Sequence, residues 1–357
     1  MKRKLSSQTI KAMAIGMAVT MGSSVLTNGV NVYAETEKNL VEKQSVASKK
    51  LATRDIINVT EGSTKYTFRV YDEYTGSKEG TVLLVGINAD ITADSNKQTV
   101  TGTLSSGKVS ASGETFKVLK IGDANTNLSG KDLTTAVNID AAALSKVITS
   151  DLTEVSNYAF KNANINGDLT LKARTISANA FEGATISGNL TLETSAINSS
   201  TLKNANLQTV TLKNVTQVST NAFENAVIRD TLDLTSTEQV YTNAFKNADI
   251  NTIVLGSSLK TINKDAFNLK SGINTSIIFK EYNAFMKDSI VSGIGDSQAN
   301  ITIQLPEGAT SEEINDLKSA FSGKNNVKVT NEVNQAPTIQ GIAKVTEGDN
   351  KITLNIS

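Results

Sequence analysis

The dipeptide Ala-Phe recurs along this chain at a nearly fixed interval. It stands at Ala159-Phe160, Ala180-Phe181, Ala222-Phe223, Ala244-Phe245 and Ala266-Phe267, with a degenerate copy at Thr201-Leu202 and a short one at Ala284-Phe285. The phenylalanine position therefore advances by 21, 21, 21, 22, 22 and 18 residues. Around each copy runs the frame Asn-Ala-Phe-(Lys/Glu)-(Asn/Gly)-Ala, then an aliphatic two residues on (Ile165, Ile186, Leu207, Ile228, Ile250). An alternating triplet follows: Leu169/Leu171, Leu190/Leu192, Val210/Leu212, Leu232/Leu234, Ile253/Leu255 and Ile277/Phe279. A period of this length marks an array of small units, each unable to bury its own apolar edge, so that stacked neighbours supply the core.

Alternation in the triplet sends its two aliphatics inward and the residue between them outward, which predicts one short strand per copy. A second aliphatic (Ile176, Ile197, Val218, Val240, Ile262) and the Ala-Phe pair then turn the chain back. The small Ala163, Ala184, Ala205, Ala226 and Ala248 let neighbouring coils approach. The expectation is a parallel sheet with the phenylalanines in a column inside. Asn179, Asn221 and Asn243 are expected to satisfy backbone groups in the turns.

Asn-Ala-Phe-x-x-Ala-x-Ile followed by Leu-x-Leu resembles the BspA-type leucine-rich repeat of bacterial surface proteins. The family's usual Cys after the Ala-Phe is Ala here, another small buried residue. The resemblance covers residues 65–330. Its lead-in includes the run 113–122 (GETFKVLKIG), after which Asp123-Ala124-Asn125 departs from the pattern and leaves the register of the first coil, 122–150, open. It implies a β-rich repeat solenoid of 21–22-residue repeats from a Gram-positive-like bacterium, acting by binding rather than catalysis.

The remainder of the chain divides by composition. Lys2, Arg3, Lys4 and Lys11 precede an apolar run at 12–21, and a looser stretch after it ends in Val32-Tyr33-Ala34, which reads as a secretory signal peptide over 1–34 cut before Glu35. The run is about half the roughly 20 residues that span a bilayer, so no membrane span is expected after cleavage. Residues 35–57 read as a polar linker, 58–150 as a β-rich lead-in, and 151–299 as the repeats. Within the lead-in, 65–71, 81–87, 99–104 and 115–121 read as strands, too few apolar residues for a separate domain. Residues 300–331 read as a small strand-helix-strand C-terminal cap, its helix opened by the capping box Thr310-Ser311-Glu312-Glu313. Residues 332–357 resemble the opening of an immunoglobulin-like module, far short of the roughly 100 residues of a sandwich, which suggests a fragment of a longer protein. Leu305-Pro306-Glu307-Gly308 lacks the threonine and apolar tail of a sortase signal.

Composition excludes much chemistry. With no Cys and no His, the chain has no thiol nucleophile, disulfide, Ser-His-Asp triad, structural zinc or His-held metal. Thirty-five basic residues balance 35 acidic ones, and removal of the leader leaves 31 against 35, which disfavours a nucleic-acid partner. No cofactor and no metal are implied. A β-helix polysaccharide lyase would need clustered carboxylates and a basic group on one face. Asp168, Glu193 and Asp233 are scattered instead, and only Arg174 and Arg229 lie within the repeats.

Function, if the solenoid carries it, belongs to the outward strand positions. The central column is Thr170, Thr191, Thr211, Asp233, Val254 and Ile278, flanked downstream by Lys172, Glu193, Lys213, Thr235, Gly256 and Lys280. Upstream lie Asp168, Asn189, Thr209, Thr231, Thr252 and Ser276. Threonine suits exposed strand positions for its shape alone, and equally offers a flat contact surface. The candidate ligand-binding residues are Thr170, Lys172, Thr191, Glu193, Thr211, Lys213, Asp233, Thr235, Val254 and Ile278. The expectation is a secreted or cell-surface monomer that binds a protein or glycan of a host cell, matrix or bacterial surface, as an adhesin would. The alternative is a non-catalytic spacer of a larger exported cell-wall-acting enzyme.

Overall fold

Two fused β-structures share one buried apolar cluster. The computed structural model describes residues 50–71, 80–88, 91–122, 139–148, 152–282 and 286–331. The signal segment, most of the polar linker, the start of the first coil, the pair Ala284-Phe285 and the immunoglobulin-like stretch lie outside the described residues.

The first structure is built from β1 (Ile56–Glu61), β2 (Thr64–Tyr71), β3 (Gly80–Ile87), β4 (Thr99–Thr101), β5 (Thr103–Ser105), β6 (Lys108–Ala111) and β7 (Glu114–Ile121). β1 pairs antiparallel with β2 and β2 with β3, while β3 lies parallel to β7. β7 returns antiparallel to β6, β6 pairs with β5, and β4 pairs parallel with β1, so the strands close on themselves. The β5–β6 and β6–β7 hairpins each use two residues of positive φ, Ser106-Gly107 and Ser112-Gly113, whose twist matches the flanking strands.

Closure depends on Gly102. The sequence predicted one strand over 99–104; the chain instead bends at Gly102, so that β4 pairs with β1 and β5 with β6. A Cβ at Gly102 would lie 2.6 Å from Ile57 Cγ2 and 2.8 Å from the Ser110 carbonyl oxygen, so only glycine admits this approach. Ile57, Val59, Tyr66, Phe68, Val82, Leu84, Val109, Phe116 and Val118 are buried in the shared core.

The second structure begins with β8 (Ile139–Asp140) and a helix, Ala141–Val147, whose N-cap Asp140 accepts the Ala142 N–H at 2.9 Å. Tyr66 reaches from β2 to donate its hydroxyl to the Ala143 carbonyl at 3.2 Å. Then come β9 (Glu154–Val155), β10 (Asn164–Asn166), β11 (Leu169–Lys172), β12 (Thr175–Ile176), β13 (Thr185–Glu193), β14 (Ala196–Ile197), β15 (Asn206–Lys213), β16 (Gln217–Val218), β17 (Val227–Leu234), β18 (Gln239–Val240), β19 (Asp249–Leu255), β20 (Thr261–Ile262), β21 (Asn274–Phe279), β22 (Asn300–Gln304) and β23 (Val327–Thr330). The long strands form a ten-stranded sheet in the order β23-β22-β21-β19-β17-β15-β13-β10-β8, with β11 also on β13. Every pairing in it is parallel.

The coil carries two strands where the sequence predicted one. Each second aliphatic sits in a two-residue strand, and β14, β16, β18 and β20 form their own parallel ladder. Upstream, β12 pairs with β9 and β9 with β7 at Lys120 and Ile121. One edge of β7 thus serves β6 along Glu114–Lys117 and the first coil beyond it. This shared edge fuses the lead-in to the repeats.

The turns explain the repeated frame. Asn179, Asn221 and Asn243 take φ of 59°, 58° and 57°; four residues after Asn221 and Asn243, Asn225 and Asn247 take 57° and 54°, and in the degenerate coil Ser200 and Asn204 both take 57°. Gly183 holds the equivalent place at φ 68°. Left-handed backbone costs Asn and Gly least, so the frame favours Asn and Asn/Gly on either side of Ala-Phe, although Tyr158, Ser200 and Asp265 take the first of these places in other coils. The expectation that these asparagines satisfy backbone groups is corrected at two of them: Asn179 Nδ2 donates to Glu182 Oε2 at 3.0 Å instead, and Asn221 Oδ1 is buried without a partner.

Inside, the phenylalanines stack. Phe160 and Phe181 lie 4.8 Å apart between ring centres, Phe223 and Phe245 5.1 Å, Phe245 and Phe267 5.3 Å. Leu202, in the degenerate copy, falls between Phe181 and Phe223 and divides the column. All of these side chains are fully buried. Beyond β20, the helix Met286–Ile294 takes over the turn's pairing, its Gly293 carbonyl accepting the Phe267 N–H at 2.8 Å. The capping box at Thr310 is present and opens the helix Ser311–Ala320, and Lys287 bridges the two helices to Asp316 at 2.8 Å.

Candidate functional site

The outward column predicted from the sequence is brought into one line. Thr170 pairs with Thr191, Thr191 with Thr211, Thr211 with Asp233, Asp233 with Val254, and Val254 with Ile278. The register runs on to Gln304 and Thr330, which the sequence analysis did not include. Parallel neighbours lie about 4.8 Å apart, so six coils hold these side chains in one rank. Thr170 is exposed, whereas Thr191, Thr211, Asp233, Val254 and Ile278 are half-buried.

Registration falters on the upstream side. Bulges at 186–189, 207–210 and 228–231 absorb the difference between repeats with three and two residues between the first aliphatic and the triplet. Where two glycines, Gly167 and Gly188, loosen this edge, Asp168 Oδ1 accepts the Asn189 N–H at 2.7 Å.

The downstream column is charged in alternation. Lys172, Glu193 and Lys213 are in register, and Lys172 Nζ donates to Glu193 Oε1 at 2.5 Å while Asn214 Nδ2 donates to the same oxygen at 3.3 Å. The hydrogen bond from Lys172, with Lys213 nearby, lowers the Glu193 carboxyl below its ordinary pKa. Thr235 donates its backbone N–H to Asp233 Oδ1 at 2.9 Å, so one oxygen of that carboxylate is already engaged.

A second charged rank, on the phenylalanine turns, escaped the sequence analysis. Lys161, Glu182, Lys203, Glu224 and Lys246 each follow the turn's Phe or Leu. Lys161–Glu182 (3.4 Å), Lys203–Glu224 (2.9 Å) and Lys246–Glu224 (3.7 Å) are ion pairs. The Lys/Glu choice in the frame was its signal, visible only once coils are stacked in register.

Chemically, the strand face offers hydroxyls, alternating charge and a small apolar end at Val254 and Ile278. Among the described residues no group of three or more carboxylates is placed to hold a metal ion. No helix among them is long and apolar enough to cross a membrane.

Stacked 21–22-residue coils with a parallel strand ladder on one side define a leucine-rich-repeat solenoid. The chain belongs to the BspA type leucine-rich repeat family, whose repeat-region model matches in six copies over residues 144–229 and 195–328. No curated protein and no solved structure matches the chain.

Proposed function

We propose that this is an exported, surface-displayed binding protein, and that the strand face is its contact surface for a protein or glycan ligand. Leucine-rich repeats serve generally as protein-interaction modules, and concave or flat solenoid faces present extended binding surfaces. The observation that carries the assignment to this face is the unbroken register of Thr170, Thr191, Thr211, Asp233, Val254 and Ile278, flanked by Lys172, Glu193, Lys213 and Thr235. Export rests on the basic and apolar pattern of residues 1–34. Adhesion to host or matrix components is the activity such a surface would serve, and the strand-helix-strand segment would close the solenoid's end.

Purified protein lacking 1–34 is screened against matrix proteins, cell-wall glycans and whole cells, beside the variant Thr191→Lys/Thr211→Lys/Asp233→Lys. Saturable binding by the parent and its loss in a folded variant is the expected result. Binding that survives the triple substitution moves the site elsewhere, and binding to none of these classes favours a spacer.

A further inference from the structure

Asn166 is the last residue of β10, Gly167 follows it at φ 98°, and both are exposed, as is Asp168. We propose that Asn166 is a site of spontaneous deamidation in the folded protein, which converts its amide to a carboxylate at the entry to the ten-stranded sheet. Asparagine is a thermolabile residue, and the reaction needs its neighbour's backbone nitrogen to reach the side-chain amide carbon. Gly167 puts no side chain beside that nitrogen. Its N–H donates to the Ser187 hydroxyl at 3.1 Å. The exposed Asn189 and Asn214 precede Leu190 and Val215, whose fully buried side chains pin the attacking nitrogen's residue in the core.

The chemistry needs only water. Gly167 N loses its proton to solvent base and bonds to Asn166 Cγ; Nδ2 takes a proton from water, the Cγ–Nδ2 bond breaks and ammonia leaves, closing a succinimide. Water then opens the ring at one carbonyl or the other, giving Asp or isoaspartate.

The neighbours give the change consequences. Asn166 is in register with Asp140, the N-cap of Ala141–Val147, and Asp168 lies two residues on. A new carboxylate therefore stands near two others at the entry to the sheet. The isoaspartate product also adds a methylene to the main chain between β10 and β11, both of which pair with β13.

The full chain is held folded at mildly alkaline pH and followed by ion exchange and peptide mapping, with enzymatic methylation to report isoaspartate. Asn166 should convert roughly tenfold or more faster than Asn189 and Asn214, a barrier difference of about 1.4 kcal/mol. Conversion in the peptide that carries residue 166 should vanish in Asn166→Gln, whose longer side chain closes the ring poorly; the chain's other Asn-Gly pair, Asn28-Gly29, is read in a separate peptide. Conversion at Asn166 no faster than at Asn189, conversion confined to urea-unfolded chain, or conversion of the residue-166 peptide that persists in Asn166→Gln would each overturn the proposal.

Discussion

Asn247 donates its side-chain amide to Asn225 Oδ1 at 2.8 Å, one coil away. Asn225 does the same to Asn204 at 3.0 Å, so three left-handed turn residues are joined into a ladder along the solenoid. The same residue type thus meets a backbone requirement and a lateral one.

The two requirements separate by substitution at Asn225. Asn225→Gly keeps the left-handed turn and loses the two exposed amide bonds, about 0.5 to 1.5 kcal/mol. Asn225→Ala loses both, adding about 1 to 2 kcal/mol for the backbone. Urea unfolding of both variants checks this; equal losses would mean that the backbone angle contributes nothing.

Phe223 has no exposed surface and stacks on Phe245. Phe223→Ala should cost about 3 to 5 kcal/mol. A loss under about 1 kcal/mol in equilibrium unfolding would contradict its burial.

Glu224 sits between Lys203 and Lys246 in the alternating rank, its side chain 16% exposed. Reversing it with Glu224→Lys places three cations in a row and should cost more than Glu224→Gln, which itself removes about 1 kcal/mol. The difference between the two should shrink in high salt, because screening weakens like-charge repulsion at this partly exposed site. Melting temperatures at low and high ionic strength test it.

Gly102→Ala drives a methyl toward the Ser110 carbonyl, which as backbone cannot swing away. The variant should lose about 1 to 3 kcal/mol by overpacking. Hydrogen exchange should show the loss first in β4 and β5 rather than in the coils.

Tyr282 packs edge-on to Phe279 at 5.3 Å, and burial, reinforced by the charges of Asp316, Glu313 and Asp288, raises its phenol from 10.0 to about 12. The folded state therefore holds this proton more tightly than the unfolded chain. Its contribution is fully present below the ordinary tyrosine value of about 10 and is lost as pH climbs from there toward the folded value. Chemical denaturation across that window should show a decline in stability that Tyr282→Phe lessens.

Which parts were legible in the sequence follows from the range of the interactions. The Ala-Phe interval, the alternating triplets and the paired Asn and Asn/Gly positions are local consequences of strand alternation and left-handed turns, so the sequence alone determined a stacked solenoid and the outward column from Thr170 to Ile278. The second aliphatics Ile176, Ile197, Val218, Val240 and Ile262 recur visibly, but that each sits in a strand was not legible, because a single inward residue carries no alternation. The charged rank from Lys161 to Lys246 and the Asn204–Asn225–Asn247 ladder join residues 21 or 22 positions apart and exist only when coils are in register. Closure of the lead-in was decided wholly by tertiary structure. The pairings of β1 with β4 and of β3 with β7 join distant segments, and only the close approach at Gly102 and the divided edge of β7 determine where the ring ends and the solenoid starts.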